Sequence, residues 1–152
     1  MLPTSITRPS VVEGKTSHTS LTYDEAGNVM AMTESGFRPA TASSRLQPIS
    51  RTTRYRYETI NGRQQLVATD GPLKGNQDVT SYQYDNQGQL TQTAFPEGIT
   101  EHFTYQTIAG KSLLTEHTDG DGVVTKMEYD SKGQAVSIQR GDQSVKLAYD
   151  HR

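Results

Sequence analysis

Apolar and polar residues alternate with a period of two along much of this chain. Met127 and Tyr129 fall on one side of a segment whose other side carries Lys126 and Glu128. Val136 and Ile138 flank Ser137, and Val145, Leu147 and Tyr149 alternate with Lys146 and Ala148. Ile99, Phe103 and Tyr105 share a side that Glu101 interrupts. Nowhere do apolar residues recur at helical spacing over three turns. The pattern predicts strands with one apolar face, and an all-β fold.

Turn signals divide those strands at regular intervals. Tyr23-Asp24-Glu25-Ala26-Gly27, Tyr84-Asp85-Asn86-Gln87-Gly88 and Tyr129-Asp130-Ser131-Lys132-Gly133 share the pattern Tyr-Asp-x-x-Gly, and Tyr149-Asp150 opens a further copy. Two degraded copies lack the Asp and carry Gly one residue later: Tyr57 with Gly62, and Tyr105 with Gly110. Asp at the first position and Gly at the fourth suit a type I turn, because Asp binds nearby N–H groups and Gly accepts positive φ. With a bulge after the left-handed Gly, such a turn closes a hairpin. Second turn signals follow at Glu34-Ser35-Gly36, Asp70-Gly71-Pro72, Pro96-Glu97-Gly98, Asp119-Gly120-Asp121-Gly122 and Arg140-Gly141-Asp142. The chain therefore reads as repetitive antiparallel β-hairpins forming a curved, spiralling sheet over residues 20–152.

Two stretches break the rhythm. Residues 1–19 carry Pro3 and Pro9 with little alternation and read as an irregular lead-in or a weak strand. Residues 37–54 hold Pro39, Pro48 and Arg38, Arg45, Arg51 and Arg54 without an acid, and read as a basic connection between repeats.

Composition sharpens this picture. Of 152 residues, 27 are Leu, Ile, Val or Phe, while Thr alone numbers 20. The core must be economical, and the Thr and Tyr surplus fits a pleated, half-buried surface. A net charge of −2 gives no global attraction to nucleic acid or to an anionic membrane. The longest apolar run, Val29-Met30-Ala31-Met32, is too short to span a bilayer. The absence of Cys excludes disulfides, thiolate zinc sites and a cysteine nucleophile.

Hairpins of the Tyr-Asp-x-x-Gly type followed by a Pro-x-Gly or Asp-Gly turn resemble the YD repeats of the RHS family. The clearest copy runs from Ser81-Tyr82-Gln83-Tyr84-Asp85 to Phe95-Pro96-Glu97-Gly98. The family includes bacterial polymorphic toxins, shell-forming subunits of insecticidal toxin complexes, and animal teneurins. The resemblance implies a non-enzymatic structural role: long arrays of such hairpins wind into a hollow shell, which in bacterial members encloses a C-terminal toxin domain. It implies a secreted or cell-surface bacterial protein, acting in interbacterial competition or host attack, whose partners are the rest of the parent chain and the enclosed toxin. The family's closing block and its self-cleavage site have no match here, so the chain reads as a shell segment. Exposed strand edges imply self-association. The repeat positions Tyr23, Asp24, Gly27, Tyr57, Gly62, Tyr84, Asp85, Gly88, Tyr105, Gly110, Tyr129, Asp130, Gly133, Tyr149 and Asp150 are structural in this reading, with each tyrosine ring packed on a neighbouring hairpin and its hydroxyl left at an edge.

No catalytic constellation, cofactor site or metal site is expected. Gly14-Lys15-Thr16 and Gly110-Lys111-Ser112 imitate the end of a phosphate-binding loop, but Pro9 and Tyr105 stand where the loop needs its first Gly. Asp119-Gly120-Asp121-Gly122 lacks the later ligands of a calcium loop. His102 could meet His117 across a hairpin, which would be too few ligands for zinc. The arginines from Arg38 to Arg56, beside Tyr55 and Tyr57, read most simply as a solvated basic surface. The alternative to the shell reading is an extracellular module that binds carbohydrate or a partner protein through exposed Tyr and Arg.

Overall fold

The computed structural model describes residues 1–10, 12–38 and 46–149. Asp150 of the last repeat and Pro39 and Arg45 of the basic connection lie outside the described residues. The strands are β1 (Ser5–Pro9), β2 (Thr16–Tyr23), β3 (Val29–Arg38), β4 (Gln47–Ile60), β5 (Arg63–Asp70) and β6 (Val79–Tyr84). They continue as β7 (Leu90–Ala94), β8 (Thr100–Ile108), β9 (Lys111–Thr118), β10 (Val124–Tyr129), β11 (Ala135–Arg140) and β12 (Gln143–Lys146). All twelve join one open antiparallel sheet in sequence order, each strand beside its chain neighbours. One single-turn 3-10 segment, Pro96–Gly98, lies between β7 and β8.

Two compact units divide the chain. One comprises Met1–Glu58 with Gln64–Thr80, the other Thr59–Arg63 with Ser81–Arg152. In the first, Leu21 pairs with Met32 and Met32 with Thr53, while on the opposite face Thr33 and Thr52 bring their hydroxyls to 2.9 Å. In the second, Met127 pairs with Ile138 and Ile138 with Val145, so the apolar row crosses three strands. Cross-strand pairs of this kind are what stabilise a sheet with one apolar face.

Conventional core is almost absent. Among the described residues only Val67 and Thr93 are buried, at 6% and 5% exposure. The accessible surface is 11203 Å², against about 7,700 Å² for an ordinary globular chain of this mass. The excess follows from a single layer of strands with neither helices nor a second sheet covering it among the described residues.

Of the two readings for 1–19, an irregular lead-in or a weak strand, the second applies to Ser5–Pro9, which form β1 and pair with Ser20 to Thr16 of β2. Two sequence expectations need correction. Most of 37–54 is also strand: Phe37 and Arg38 end β3, and 47–54 begin β4. Ile49, Thr52 and Thr53 favour a pleated surface, and Pro48 is tolerated because it is only the second residue of its strand. The signal Glu34-Ser35-Gly36 is not a turn. Gly36 pairs with Ile49 inside β3, and its φ lies outside the left-handed region. A Cβ on it would meet Ser17 Cβ at 3.6 Å, an ordinary contact, so the glycine leaves the surface low there without being required by the backbone.

Candidate functional site

The repeated tyrosines and their turns form the one constellation that recurs through the molecule. In the turn after β2, Gly27 N–H donates to Asp24 O at 3.1 Å and Asp24 N–H to Asn28 O at 2.9 Å. The turns at Asp85 and Asp130 repeat both bonds within 0.1 Å. The Asp side chain then organises the loop. Asp85 Oδ1 accepts from the N–H groups of Gln87 and Gln89, and Asp130 Oδ1 from those of Lys132 and Gln134, all at 2.9 Å. At Asp24 the amide of Asn28 donates to Oδ2 at 3.0 Å and its N–H to Oδ1 at 2.8 Å. The Asn28 side chain, then its N–H, hold the Asp24 carboxyl below the usual range. Gly27, Gly88 and Gly133 take φ of 86°, 82° and 81°, a conformation that glycine adopts without steric cost.

The two copies without Asp are a different turn. Asn61-Gly62 and Ala109-Gly110 take φ of 50° and 71°, and 52° and 73°. Positive φ at both central residues defines the two-residue type I′ hairpin, whose twist matches its strands. The strand runs on for three residues past the tyrosine, as Glu58-Thr59-Ile60 and Gln106-Thr107-Ile108, and the late Gly follows from that extension. At this end of the sheet the turns therefore alternate: Asp24, Asn61, Asp85, Ala109, Asp130. The repeating unit is two hairpins. The opposite end also holds one Asp-x-x-Gly turn, at Asp119. There Oδ1 accepts from Asp121 and Val123, and Oδ2 accepts from Arg140 at 3.0 Å. Its carboxylate is fully engaged by the protein.

Further events mark several of these tyrosines. The register shifts at Tyr23, Tyr84, Tyr105 and Tyr129, where Met30, Thr91, Thr115 and Val136 respectively form the extra residue of a bulge. At two bulges the extra threonine caps a carbonyl: Thr91 Oγ1 donates to Gln83 O and Thr115 Oγ1 to Thr104 O, each at 3.2 Å. The phenol then reaches back to the preceding strand. Tyr23 donates to Pro3 O at 2.6 Å, Tyr105 to Leu90 O at 2.8 Å, and Tyr129 to Leu114 O at 2.6 Å.

The register explains why the same bond forms three times. The ladder to the preceding strand ends at the pairs Ser5–Ser20, Gln92–His102 and Glu116–Lys126. In every case the tyrosine lies three residues beyond that last pair, and its acceptor two residues beyond on the other strand. Neighbouring hairpins part just beyond that pair, after a last bond from Leu21 N–H to Thr4 O in the first case, and the hydroxyl satisfies a carbonyl that the ladder has released. The hydroxyl expected at an edge thus acts as a latch between hairpins. Burial lifts the Tyr105 phenol above its ordinary range, with Asp85 adding to it; burial, then Tyr82, does so at Tyr84; and burial, then Tyr55 and Asp24, at Tyr57. Tyr149 is exposed beyond β12.

The fold has a solved counterpart. Ninety per cent of the chain superposes on part of the crystal structure of TcdB2-TccC3 without its hypervariable C-terminal region, with a TM-score of 0.63 and 17% identity. The chain spans 7% of the length of that structure. The likeness is one of fold: a shell-like module of β-hairpins. A porin-like protein from Bacteroides uniformis ATCC 8492 gives a TM-score of 0.45 at 16% identity, over 92% of this chain and 56% of that one, and carries no argument. No family model and no curated protein matches the sequence.

The remaining candidate residues are not brought together. His102 pairs with Thr118 while His117 pairs with Phe103, so the two histidines face opposite sides of the sheet. His117 stacks on Phe103 at 4.8 Å and places Nε2 3.5 Å from Glu101. Gly110-Lys111-Ser112 is the type I′ turn and the start of β9. Among the described residues, no three or more His, Cys, Asp or Glu side chains gather as metal ligands would.

Proposed function

We propose that this chain is a non-enzymatic wall segment of an RHS-type protein whose larger β-shell encloses or presents a C-terminal toxin domain, in interbacterial competition or host attack. One observation carries the reading. Hairpin follows hairpin in sequence order into a single open layer, and the same latch joins successive hairpins at Tyr23, Tyr105 and Tyr129. A wall needs this construction, because each added hairpin extends the surface without requiring a core of its own. The fold shared with a stretch of TcdB2-TccC3 supports it.

In this proposal the partners are the remainder of the parent chain and the enclosed domain, without nucleic acid or membrane insertion, and the parent is secreted or displayed on a bacterial surface. The outer edges of β1 and β12 pair with further hairpins, and in the isolated chain with another copy. Sequencing the genomic DNA on both sides tests the proposal. In-frame continuation into further Tyr-Asp repeats and an unrelated C-terminal domain is the expected result. An isolated reading frame flanked by no such repeat would overturn it.

A further inference from the structure

In the first unit, the face that carries Leu21 and Tyr23 ends in a groove of about 380 Å³ at the far end from the tyrosine turns. Its floor is the pair Ser17 and Gly36, where the absence of a side chain on Gly36 leaves the surface low. The ladder places Arg8 beside Ser17 on one flank and Ile49 beside Gly36 on the other. One row further along, Thr19, Glu34 and Arg51 stand opposite one another on β2, β3 and β4. Four strands therefore deliver two guanidiniums, one carboxylate and two hydroxyls to one shallow trough.

The charged groups are uncommitted, while the Ser17 hydroxyl donates to Arg8 O at 3.4 Å. Glu34 and Arg51 face each other but form no ion pair, and neither they nor the Arg8 guanidinium engages a protein partner among the described residues. Arg8 and Arg51 stand on β1 and β4, three ladder spacings across and two residues along the strands, roughly 16 Å apart at the backbone. Both flank a floor too small to fill the space between them.

We infer that this groove binds an acidic saccharide, a disaccharide bearing carboxylate or sulfate groups on its sugar rings. Arginine holds carboxylate and sulfate with paired, charge-assisted hydrogen bonds. Glu34 accepts from sugar hydroxyls, which a purely anionic ligand does not offer. Thr19 both donates and accepts, the Ser17 oxygen accepts, and Ile49 covers an apolar ring face. An extended peptide fits the donors less well. The floor of the groove lies on β2 and β3, inner strands whose backbone groups are spent in the ladder, so a peptide backbone laid across it finds no partners there. A single-stranded nucleic acid would need an open aromatic face. Phe37, next to Gly36, instead lies under the Lys15 ammonium at 5.0 Å. The inference does not rest on the shell reading and fails separately from it.

The test uses the whole chain, ¹⁵N-labelled and titrated with a heparin-derived sulfated uronic-acid disaccharide. Saturable shifts confined to the amides around Arg8, Ser17, Gly36 and Arg51 are expected. Arg51→Gln and Arg8→Gln should each weaken binding about tenfold, and added salt should weaken it further. Gly36→Val should abolish binding while leaving the sheet intact, because Gly36 has no left-handed φ and its Cβ position is in ordinary contact distance. Unchanged thermal unfolding of Gly36→Val separates a blocked groove from a damaged strand, and the two arginine variants answer the question if that variant fails to fold. Any of four results overturns the inference: no saturable shift, equal affinity in the arginine variants, equal affinity for a neutral disaccharide, or tighter binding of an oligoglutamate peptide or a single-stranded oligonucleotide at the same residues.

Discussion

Replacing Tyr105 by Phe removes one oxygen and keeps the ring, and so isolates the latch between β7 and β8. The lost bond is a 2.8 Å hydroxyl-to-carbonyl contact in a half-buried setting. A neutral bond of this kind contributes about 1 kcal/mol net. Leaving Leu90 O bare adds a desolvation penalty only to the extent that water fails to replace the phenol, and in a sheet this open water does reach it. The expected loss is therefore about 1 kcal/mol, or a fall in Tm of about 3 °C for a chain of this size. Tyr129→Phe should lose the same amount, because its 2.6 Å bond to Leu114 O occupies the same place in the next repeat. The double variant should lose about twice as much, since repeat contributions add. Tyr82→Phe is the control within the same unit, as the Tyr82 hydroxyl has no such bond. Urea unfolding followed by circular dichroism reads all four proteins. If Tyr105→Phe and Tyr82→Phe agree within about 0.3 kcal/mol, the hydroxyl contributes nothing beyond its ring and the latch argument fails.

Three further outcomes follow from the turns and the half-buried phenols. Ala109 holds φ of 52°, where a Cβ is disfavoured, whereas Asn61 occupies the equivalent position. Ala109→Asn should thus raise stability by about 0.5 kcal/mol, and an unchanged urea midpoint would count against the type I′ assignment. Asp130→Ala frees two N–H groups of its turn and should lower stability by about 1.5 kcal/mol, with faster amide exchange at Lys132 and Gln134; unaltered exchange there would refute its role. Tyr57, Tyr84 and Tyr105 hold their protons more tightly folded than unfolded, so their contribution is complete below the ordinary tyrosine value near 10 and declines as pH rises through it. Tm should fall between pH 9 and 11, less steeply in Tyr105→Phe, and a flat profile would contradict the burial of these rings.

The hairpin architecture was legible because two local signals agree, alternation along each strand and Asp with Gly at fixed offsets. Chemistry at single positions was read less well. Asn61-Gly62 is a strong type I′ signal, yet beside the Tyr-Asp pattern it looked like a damaged copy of the wrong turn. Asp119-Gly120-Asp121-Gly122 satisfies Asp-x-x-Gly and was separated from its kin only because no tyrosine precedes it. Gly36 misled in the opposite direction: a Gly after Glu and Ser suggests a turn, but strand pairing on both sides keeps it extended. β1 was obscure because its five residues are all exposed and therefore carry no alternation. The phenol bonds depend on where each ladder ends, which is a property of register between strands. No spacing along one strand encodes it.

Register also explains how a chain with two buried residues among those described holds one structure. Alternation alone would tolerate a slip by two residues, which keeps every apolar group on its own face. A slip moves the end of the ladder, however, and with it the carbonyl that the tyrosine must find. It also moves the bulge that places the tyrosine beside that carbonyl. Turn, bulge and latch fail together in any other register, so each hairpin is fixed by contacts with its two neighbours and needs no distant part of the chain. Sequence neighbours being spatial neighbours throughout, a hairpin pair can be added or removed without disturbing the rest. Such a sheet can be lengthened by duplicating a hairpin pair.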